Sequence, residues 1–408
     1  MNKLAFSSLF MFATGFTAFA STPENITTEM NPDSPYQILN DNKDNSILSK
    51  ILKSNKNSEV FNLKLHTKIS FSGAEVNNNW NEPGFKVNQL RIDLGGRFNN
   101  GIFYRYQQRL TNYPEPYDNY IDNLPMKVDY AGLGYRFNTK WKVFAGKMCT
   151  AYGGFDFDDN PINVYQYSTM IENMAAFLTG IDFAYNPSAS QEIRFQILES
   201  RNGSHEQAYG FVNPDLKFNK ADFVYTLNWN GSFGPENMFA TRWSASYINQ
   251  AKDKNYYLLA LGNAMYLKNG GGFLDFMYSN EGIDRSGIIS SIGSSQDGIN
   301  TQTNTSYTST VLGLNYRIHP KWNLIAKGIY DTSYKNKNVG GMAKGKYLTT
   351  YSYSGGIEFF PFKDESLHLG LVYTGRYNDY TSLAKEFGAK NSKENKIELS
   401  LIYSLNIW

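Results

Sequence analysis

The sequence predicts an all-β protein, a closed antiparallel barrel of about sixteen strands that spans an outer membrane. Three observations lead to this prediction. From residue 60 onward, apolar and polar residues alternate with a period of two. The connections between the alternating segments are short and long in turn, and aromatic residues gather beside the short ones. This combination is typical of a transmembrane barrel, whose outer face meets lipid while its inner face meets water.

The composition of the 408-residue chain agrees with such a pattern. It is 16% aromatic, with 30 Tyr and 28 Phe, yet only 41% hydrophobic, and its mean hydropathy is -0.47. The aromatic content argues against disorder, and the polar average argues against a helical membrane bundle. The balance of 39 Lys+Arg against 37 Asp+Glu argues against nucleic-acid binding. A single Cys excludes a disulfide framework and a multi-Cys metal site.

Residues 1–20 predict a secretory signal peptide. Lys3 is followed by an uncharged run that reaches Phe19, and the small-x-small pattern ending at Ala20 predicts cleavage after that residue. The polar residues 21–59 predict a periplasmic segment, either a disordered linker or one with a short helix near residues 46–52. We therefore expect residues 60–408 to form the barrel in the outer membrane of a Gram-negative bacterium.

The period-two segments give the positions of the strands. In the first, apolar residues and Thr67 occupy the odd positions from Phe61 to Phe71, and polar residues stand between them. Such alternation over twelve residues is long for a strand of a soluble protein. The predicted strands lie near residues 60–73, 85–98, 101–113, 126–137, 141–152, 175–185, 192–201, 219–230, 237–250, 255–268, 271–281, 304–318, 321–334, 346–360, 366–378 and 394–408.

The connections predict which ends of the strands face the periplasm. Those expected to be short include 99–100, 138–140, 186–190, 269–270, 319–320 and 361–365, and the link 230–236 is slightly longer. Those expected to be long are 74–84, 114–125, 153–174, 202–218, 282–303, 335–345 and 379–393. The link at 252–254 is short where a long one is due. Tight turns on one side and long loops on the other indicate periplasmic and extracellular ends, respectively.

Aromatic residues mark the short-turn side. Trp141 and Trp322 open strands directly after short turns, and five more aromatic residues stand shortly before such turns: Phe98, Phe137, Tyr185, Trp229 and Tyr316. This arrangement predicts an interfacial girdle, which a soluble β-sandwich or propeller does not need. The chain ends at Trp408 on an amphipathic strand, a position at which the barrel-assembly machinery recognises an aromatic residue, although here the apolar phase falls on Leu405 and Ile407.

Residues 60–408 resemble the phosphate-selective porin family, porins O and P, in particular its Bacteroides-type members. The resemblance rests on residues 134–141, continuing through 143–147 to Gly153-Gly154-Phe155, on Arg91 before Asp-Leu-Gly-Gly, and on residues 104–106. It implies a barrel of the outer-membrane porin type, forming a trimeric passive channel. The chain departs from the phosphate-selective pattern because no loop carries a dense ladder of arginines.

The polar phase of the strands predicts which residues line a pore. The candidate pore-lining bases are Lys64, His66, Lys68, Arg91, Arg105, Arg109, Arg136, Lys142, Arg194 and Arg242, with Arg97, Arg317, Lys327 and Arg376 on the same phase. The acids expected on that phase are Asp93, Asp182, Asp275, Asp331, Glu358 and Glu398. Bases outnumber acids, chiefly in the first five strands, which predicts weak anion selectivity. A wall of mutually paired charges with little selectivity is the alternative.

The third long connection, 153–174, is the candidate constriction loop. Its candidate site residues are Asp156, Asp158, Asp159, Tyr165 and Glu172. If the loop folds inward, its acids face the basic wall and set up a transverse field. An ordinary surface loop and a calcium site built from the aspartates are the alternatives.

Other signals for chemistry are weak, so we expect neither an enzyme nor a cofactor. Residues 340–346 match the first part of a P-loop, but Tyr347 stands where Ser or Thr is needed. The four histidines are scattered without metal-ligand spacing, and there is no G-x-S-x-G elbow. The leading hypothesis is a passive channel for small anionic or polar solutes in contact with outer-membrane lipid. A non-channel surface or structural barrel, adhesin-like, and a barrel enzyme are the alternatives.

Overall fold

The computed structural model describes residues 60–111, 127–210, 216–293, 301–362 and 366–407. They form one closed antiparallel barrel of sixteen strands. The strands are β1 Asn62–Val76, β2 Asn79–Arg97, β3 Ile102–Arg109, β4 Val128–Arg136, β5 Trp141–Cys149, β6 Phe177–Ser188, β7 Gln191–Glu199, β8 Phe223–Phe233, β9 Phe239–Ala251, β10 Lys254–Leu267, β11 Gly270–Ile283, β12 Thr303–His319, β13 Trp322–Lys335, β14 Gly345–Phe359, β15 His368–Tyr380 and β16 Ser392–Asn406.

The predicted fold class and the approximate position of every predicted strand are therefore confirmed. The proposed signal peptide, the segment 21–59, the terminal Trp408 and the whole of the connection 114–125 lie outside the described residues.

Each strand pairs with its neighbours in sequence, and β1 closes the sheet by pairing with β16, for example Lys64 opposite Asn406. A closed sheet leaves no strand edge with unpaired backbone groups, which is the requirement for strands in a hydrocarbon environment.

The two faces of the sheet differ as the period of two predicts. In β9, Trp243 is exposed on the outside, whereas Arg242 and Ser244 are buried on the inside. The inner face is not uniformly polar, however. Phe144, Leu198 and Ile248 also lie on it and pack with residues of the long connections.

The aromatic residues beside the short turns lie on the outer face. Phe98, Phe137 and Tyr316 are exposed there, and the Trp141 ring stacks on Tyr185 with ring centres 4.3 Å apart. This is the arrangement of an aromatic girdle at one end of a barrel.

The connection between β1 and β2 differs from its prediction. It is a two-residue turn at Asn77 and Asn78, both with positive φ (50° and 66°), instead of the long loop 74–84. Asn tolerates this conformation, and such turns suit the twist of paired strands. The hairpin thus extends beyond the segments that the alternation marks. The short link at 252–254 is confirmed, because β9 ends at Ala251 and β10 begins at Lys254.

In the described ranges, five short helices lie in the long connections: α1 Phe155–Asp158, α2 Thr169–Glu172, α3 His205–Tyr209, α4 Ile288–Ile292 and α5 Ser382–Lys385. A 3-10 turn, Pro235–Asn237, lies in the link between β8 and β9. Among the described residues, no helix combines the length and the apolar character needed to cross a bilayer.

Candidate functional site

Residues 150–176, here called the inner segment, fold from the end of β5 onto the inner face of the barrel. The inward turn uses Gly153 and Gly154, whose φ angles of +73° and +89° favour glycine. The Gly154 N–H donates to the carbonyl of Arg242 on β9 (3.1 Å), and a Cβ at Gly153 would lie 2.9 Å from that same oxygen. Close approach to the opposite wall therefore depends on these two glycines.

Helix α1 is held on the wall by its aspartates. The Asp158 carboxylate lies 3.1 Å from Nη1 of Arg242, and Asp156 forms an ion pair with Lys327 of β13. The Asp156 N–H also donates to the carboxylate of Asp275 on β11 (2.7 Å). Three separate strands thus fix one short helix.

Tyr165 fixes the middle of the inner segment. Its hydroxyl donates to Oε1 of Glu358 on β14 (3.3 Å), and the Lys68 ammonium lies 4.1 Å from its ring centre. A Cβ at Gly370 would lie 2.1 Å from the Tyr165 hydroxyl, so only glycine leaves room for it. Lys68 also lies 3.0 Å from Glu398 and donates to the Val164 carbonyl (3.3 Å).

Helix α2 holds the last part of the inner segment. The Ser168 hydroxyl caps the helix by accepting from Ile171 N–H. The Thr169 N–H donates to Asp331 of β13 (2.8 Å). Arg376 of β15 makes a two-pronged contact with Glu172 at 2.8 and 2.7 Å. The inner segment therefore contacts β1, β9, β11, β13, β14 and β15 from inside the barrel.

The aspartates of the inner segment titrate unusually. Burial raises the pKa of Asp156 and Asp158, against the opposing effect of Lys327 and Arg242. Burial also raises the pKa of Asp159 to about 6. Among the described residues, the Asp159 carboxylate forms no ion pair. Each of these acids thus resists ionisation more than a solvated carboxyl does.

The inner acids do not face the basic strands across a gap, as the sequence suggested. Asp156, Asp158 and Glu172 contact bases of β13, β9 and β15 directly, whereas the predicted basic excess lies on β1 to β5. Sequence alternation located these acids in one loop but could not show which strands they reach.

The candidate pore-lining bases lie on the inner phase of their strands, and most are paired. Asp93 accepts from Arg105 (3.2 and 2.8 Å) and lies 3.9 Å from His66. Further pairs join Arg91 and Arg109 to Asp129 (3.6 and 3.1 Å) and Lys142 to Glu192 (3.7 Å), and Arg194 donates through Nε to Asp182 (3.0 Å). Lys64 is half-buried on the same face, and Arg136 stands opposite Lys142 in the β4–β5 register. The inner wall is thus largely a wall of mutually paired charges.

Two residues, Asp129 and Lys147, lie on the inner face although the alternation does not place them there, because local irregularities shift the phase. The β3–β4 register slips between Gln107 and Gln108, which turns Asp129 inward although alternation places it outside. Gly146 has a φ of +133°, and beside it Lys147 is 1% exposed and interacts with the charge of Asp129. Glu192, also missed, lies buried at the start of β7. The signal available in the sequence was an acidic residue, Asp129, at a position where the alternation expects an apolar one.

A cavity of about 410 Å³ lies between the inner segment and the wall of β11 to β16. It is lined by Asp159, Asn163 and Tyr165 of the inner segment and by residues of the wall that include Asn315, Lys327 and Glu358. Phe360, Ser366 and Ser404 place it toward the short-turn end of the barrel. No group of three or more His, Cys, Asp or Glu in the described ranges could hold a metal ion.

The family model of the phosphate-selective porins O and P matches residues 61–405. The chain belongs to this family. The resemblance found in the sequence is thereby confirmed at the level of the family. The comparison with curated proteins gives no match.

Solved structures with the same fold are porins and outer-membrane channels. The channel DcaP of Acinetobacter baumannii aligns with a TM-score of 0.53 at 11% identity, over 86% of this chain and 99% of that chain. OmpF of Salmonella typhi gives 0.52 at 11% identity, over 84% and 97%. The anion-selective porin from Comamonas acidovorans gives 0.52 at 7% identity, over 84% and 99%. Identities this low show the shared fold alone.

Family and fold together make this porin an outer-membrane channel protein. The inner segment of this porin contacts strands from β1 round to β15 inside the barrel. These contacts make it the candidate site.

Proposed function

We propose that this porin is a passive, water-filled channel for small hydrophilic solutes with a weak preference for anions. The observation that carries the preference is the excess of bases on the inner face of β1 to β5, where the acids are Asp93 and Asp129. The bases there are Lys64, His66, Lys68, Arg91, Arg97, Arg105, Arg109, Arg136, Lys142 and Lys147. Fixed positive charge lowers the barrier for anions and raises it for cations.

The ion pairs explain why the proposed preference is weak. Asp93 and Asp129 each engage two or more bases, and the far wall carries Asp275, Asp331 and Glu358. A strongly phosphate-selective pore would need bases whose charge is not offset in this way. Partial pairing therefore supports a general channel more than a dedicated phosphate channel.

The constriction of the proposed channel is the inner segment, which carries Asp156, Asp158, Asp159, Tyr165 and Glu172. Its contacts from β1 round to β15 support this role, because they hold it across the interior and not above the rim.

We also propose a homotrimer exported by the signal peptide 1–20, with residues 21–59 in the periplasm. One structural neighbour, in-vitro folded OmpT of Vibrio cholerae, is described in a trimer form. The outward apolar strands would contact outer-membrane lipid, and assembly would use the barrel-assembly machinery. Cross-linking in detergent tests the trimer, and N-terminal sequencing of the mature protein tests cleavage after Ala20.

Planar-bilayer recording tests the channel and its selectivity. We expect stepwise conductance in potassium chloride and, across a salt gradient, a zero-current potential with the sign of anion flow. A potential with the sign of cation flow would refute the anion preference. Absence of conductance from folded, inserted protein would favour the second function, a non-channel surface or structural barrel.

A further inference from the structure

The cavity beside the inner segment is a place where the inner wall of the described barrel is accessible. Asn315 of β12 and Asn163 of the inner segment are exposed, and Ile325, Lys327 and Ser354 are half-buried. Elsewhere many inward side chains are almost fully covered, including Arg105 at 2% and Arg194 at 1% exposure. A solute in the barrel therefore meets these cavity residues directly.

Two charged side chains of the cavity, Lys327 and Glu358, already have protein partners. Lys327 is paired with Asp156 and also donates to the carbonyl of Gln166 (3.0 Å). Glu358 accepts from Asn323 (2.8 Å) and Tyr165 (3.3 Å), and His368 lies 3.9 Å from it. An anionic solute would therefore have to displace Asp156 from Lys327.

Uncharged hydrogen-bonding capacity, in contrast, is available. The side chains of Asn163, Asn315 and Ser354 form no hydrogen bond with another side chain in the described ranges. An amide offers both donors and acceptors, and a hydroxyl offers one donor and two acceptor positions. Asp159 adds acceptor oxygens without an ion-pair partner.

Apolar groups alternate with these polar ones. Ile162 and Ile402 contribute aliphatic surface, and Phe273 and Phe360 contribute aromatic surface to the same lining. A pocket that mixes apolar surface with a few directed polar groups is typical of small-molecule sites, and about 410 Å³ falls within their usual size range.

We propose that this cavity binds a neutral polyhydroxylated solute, a sugar of one or two rings. Such a molecule presents C–H faces to the aliphatic groups and hydroxyl edges to Asn163, Asn315, Ser354 and Asp159. It requires no counter-charge, which suits a cavity where Lys327 is paired with Asp156 and Glu358 accepts from Asn323 and Tyr165. The proposal rests on the proposed channel function, since it names a solute class for that channel, but its binding step is measurable without conduction.

Equilibrium dialysis of radiolabelled maltose against the purified, detergent-folded full chain tests the binding step. We expect saturable binding that Asn315→Leu and Ser354→Val each weaken by about two- to tenfold, the loss of one neutral hydrogen bond. Asn81→Leu, on the exposed β1–β2 hairpin, is the matched control and should leave binding unchanged. The two cavity variants change residues of different strands. If one of them fails to fold, the other still tests the proposal.

Two results would overturn the proposal. One is absence of saturable maltose binding to protein shown to be folded by its heat-dependent gel mobility. The other is maltose binding that both cavity variants leave intact, or that inorganic phosphate displaces at lower concentration than unlabelled maltose does. Bilayer recording separates the two proposals, because maltose binding without conductance contradicts the channel alone, whereas conductance without maltose binding contradicts the sugar site alone.

Discussion

Nη1 of Arg242 on β9 lies 3.1 Å from Oδ2 of Asp158, and the carbonyl of the same arginine accepts from Gly154 N–H. One residue of the wall thus holds the inner segment through both its side chain and its backbone. Both charged groups are largely buried, so neither has water as an alternative partner. The pair is one of the contacts that fix the position of α1 inside the barrel.

Asp158→Asn should destabilise the barrel and loosen α1, because the buried charge of Arg242 would lose the Asp158 carboxylate. Breaking a buried pair from one side costs on the order of 3–5 kcal/mol. Urea unfolding in lipid vesicles should show a free energy of unfolding lower by that amount, and single channels should fluctuate more. Glu82→Gln, an exposed acid of the β1–β2 hairpin, is the control. Equal unfolding midpoints for Asp158→Asn and the control would contradict this prediction.

Gly370→Ala should displace Tyr165, since the added Cβ would lie 2.1 Å from its hydroxyl. The bond from Tyr165 to Glu358 would then lengthen or break, and the middle of the inner segment would move. We expect a changed single-channel conductance. Gly328→Ala, on β13, is the matched control, because nothing lies within 4 Å of its added Cβ. If both variants conduct like the native channel, Tyr165 does not shape the constriction.

The barrel was predictable because lipid imposes the same alternation of apolar and polar residues on every membrane-spanning strand. Residues 61–71 already show it, and the closing pair of β1 with β16 follows from the need to leave no edge. The β1–β2 hairpin was not predictable from alternation, since beyond the membrane no solvent contrast enforces a period of two. There the turn residues Asn77 and Asn78 carried the information instead.

For the site, the sequence predicted only which residues of each strand face the interior of the barrel. Lys64 and Arg242 face inward as expected, but Asp129 does so through a bulge that one slipped register creates. Pairing across the barrel, such as Asp158 with Arg242, joins residues 84 positions apart. Local periodicity holds no information on such contacts, so the sequence left a basic wall and a wall of paired charges as alternatives and could not identify the partners.

The raised pKa of Asp159, about 6, makes selectivity depend on pH. Above that value the carboxylate carries a negative charge beside Lys327 and Asp156, and below it the carboxyl is neutral. Lowering the pH from about 7.5 to about 5 should therefore shift the zero-current potential toward anion flow. In Asp159→Asn this shift of the zero-current potential should be smaller, because only the other carboxyls with raised pKa values then contribute to it. An unchanged step in Asp159→Asn would assign the titration to another group.

Lys64→Gln should reduce the anion preference, because it removes one charge from the basic side of the inner wall. Lys64 is half-buried on the inner phase of β1, where its field acts on the interior more than on bulk solvent. The zero-current potential in a potassium chloride gradient should move toward zero, and the shift should be larger at low salt, where screening is weaker. Lys86→Gln removes the same charge from an exposed position of β2 and is the matched control. A larger shift for Lys86→Gln than for Lys64→Gln would mean that charge at the mouth, and not along the inner wall, sets the preference.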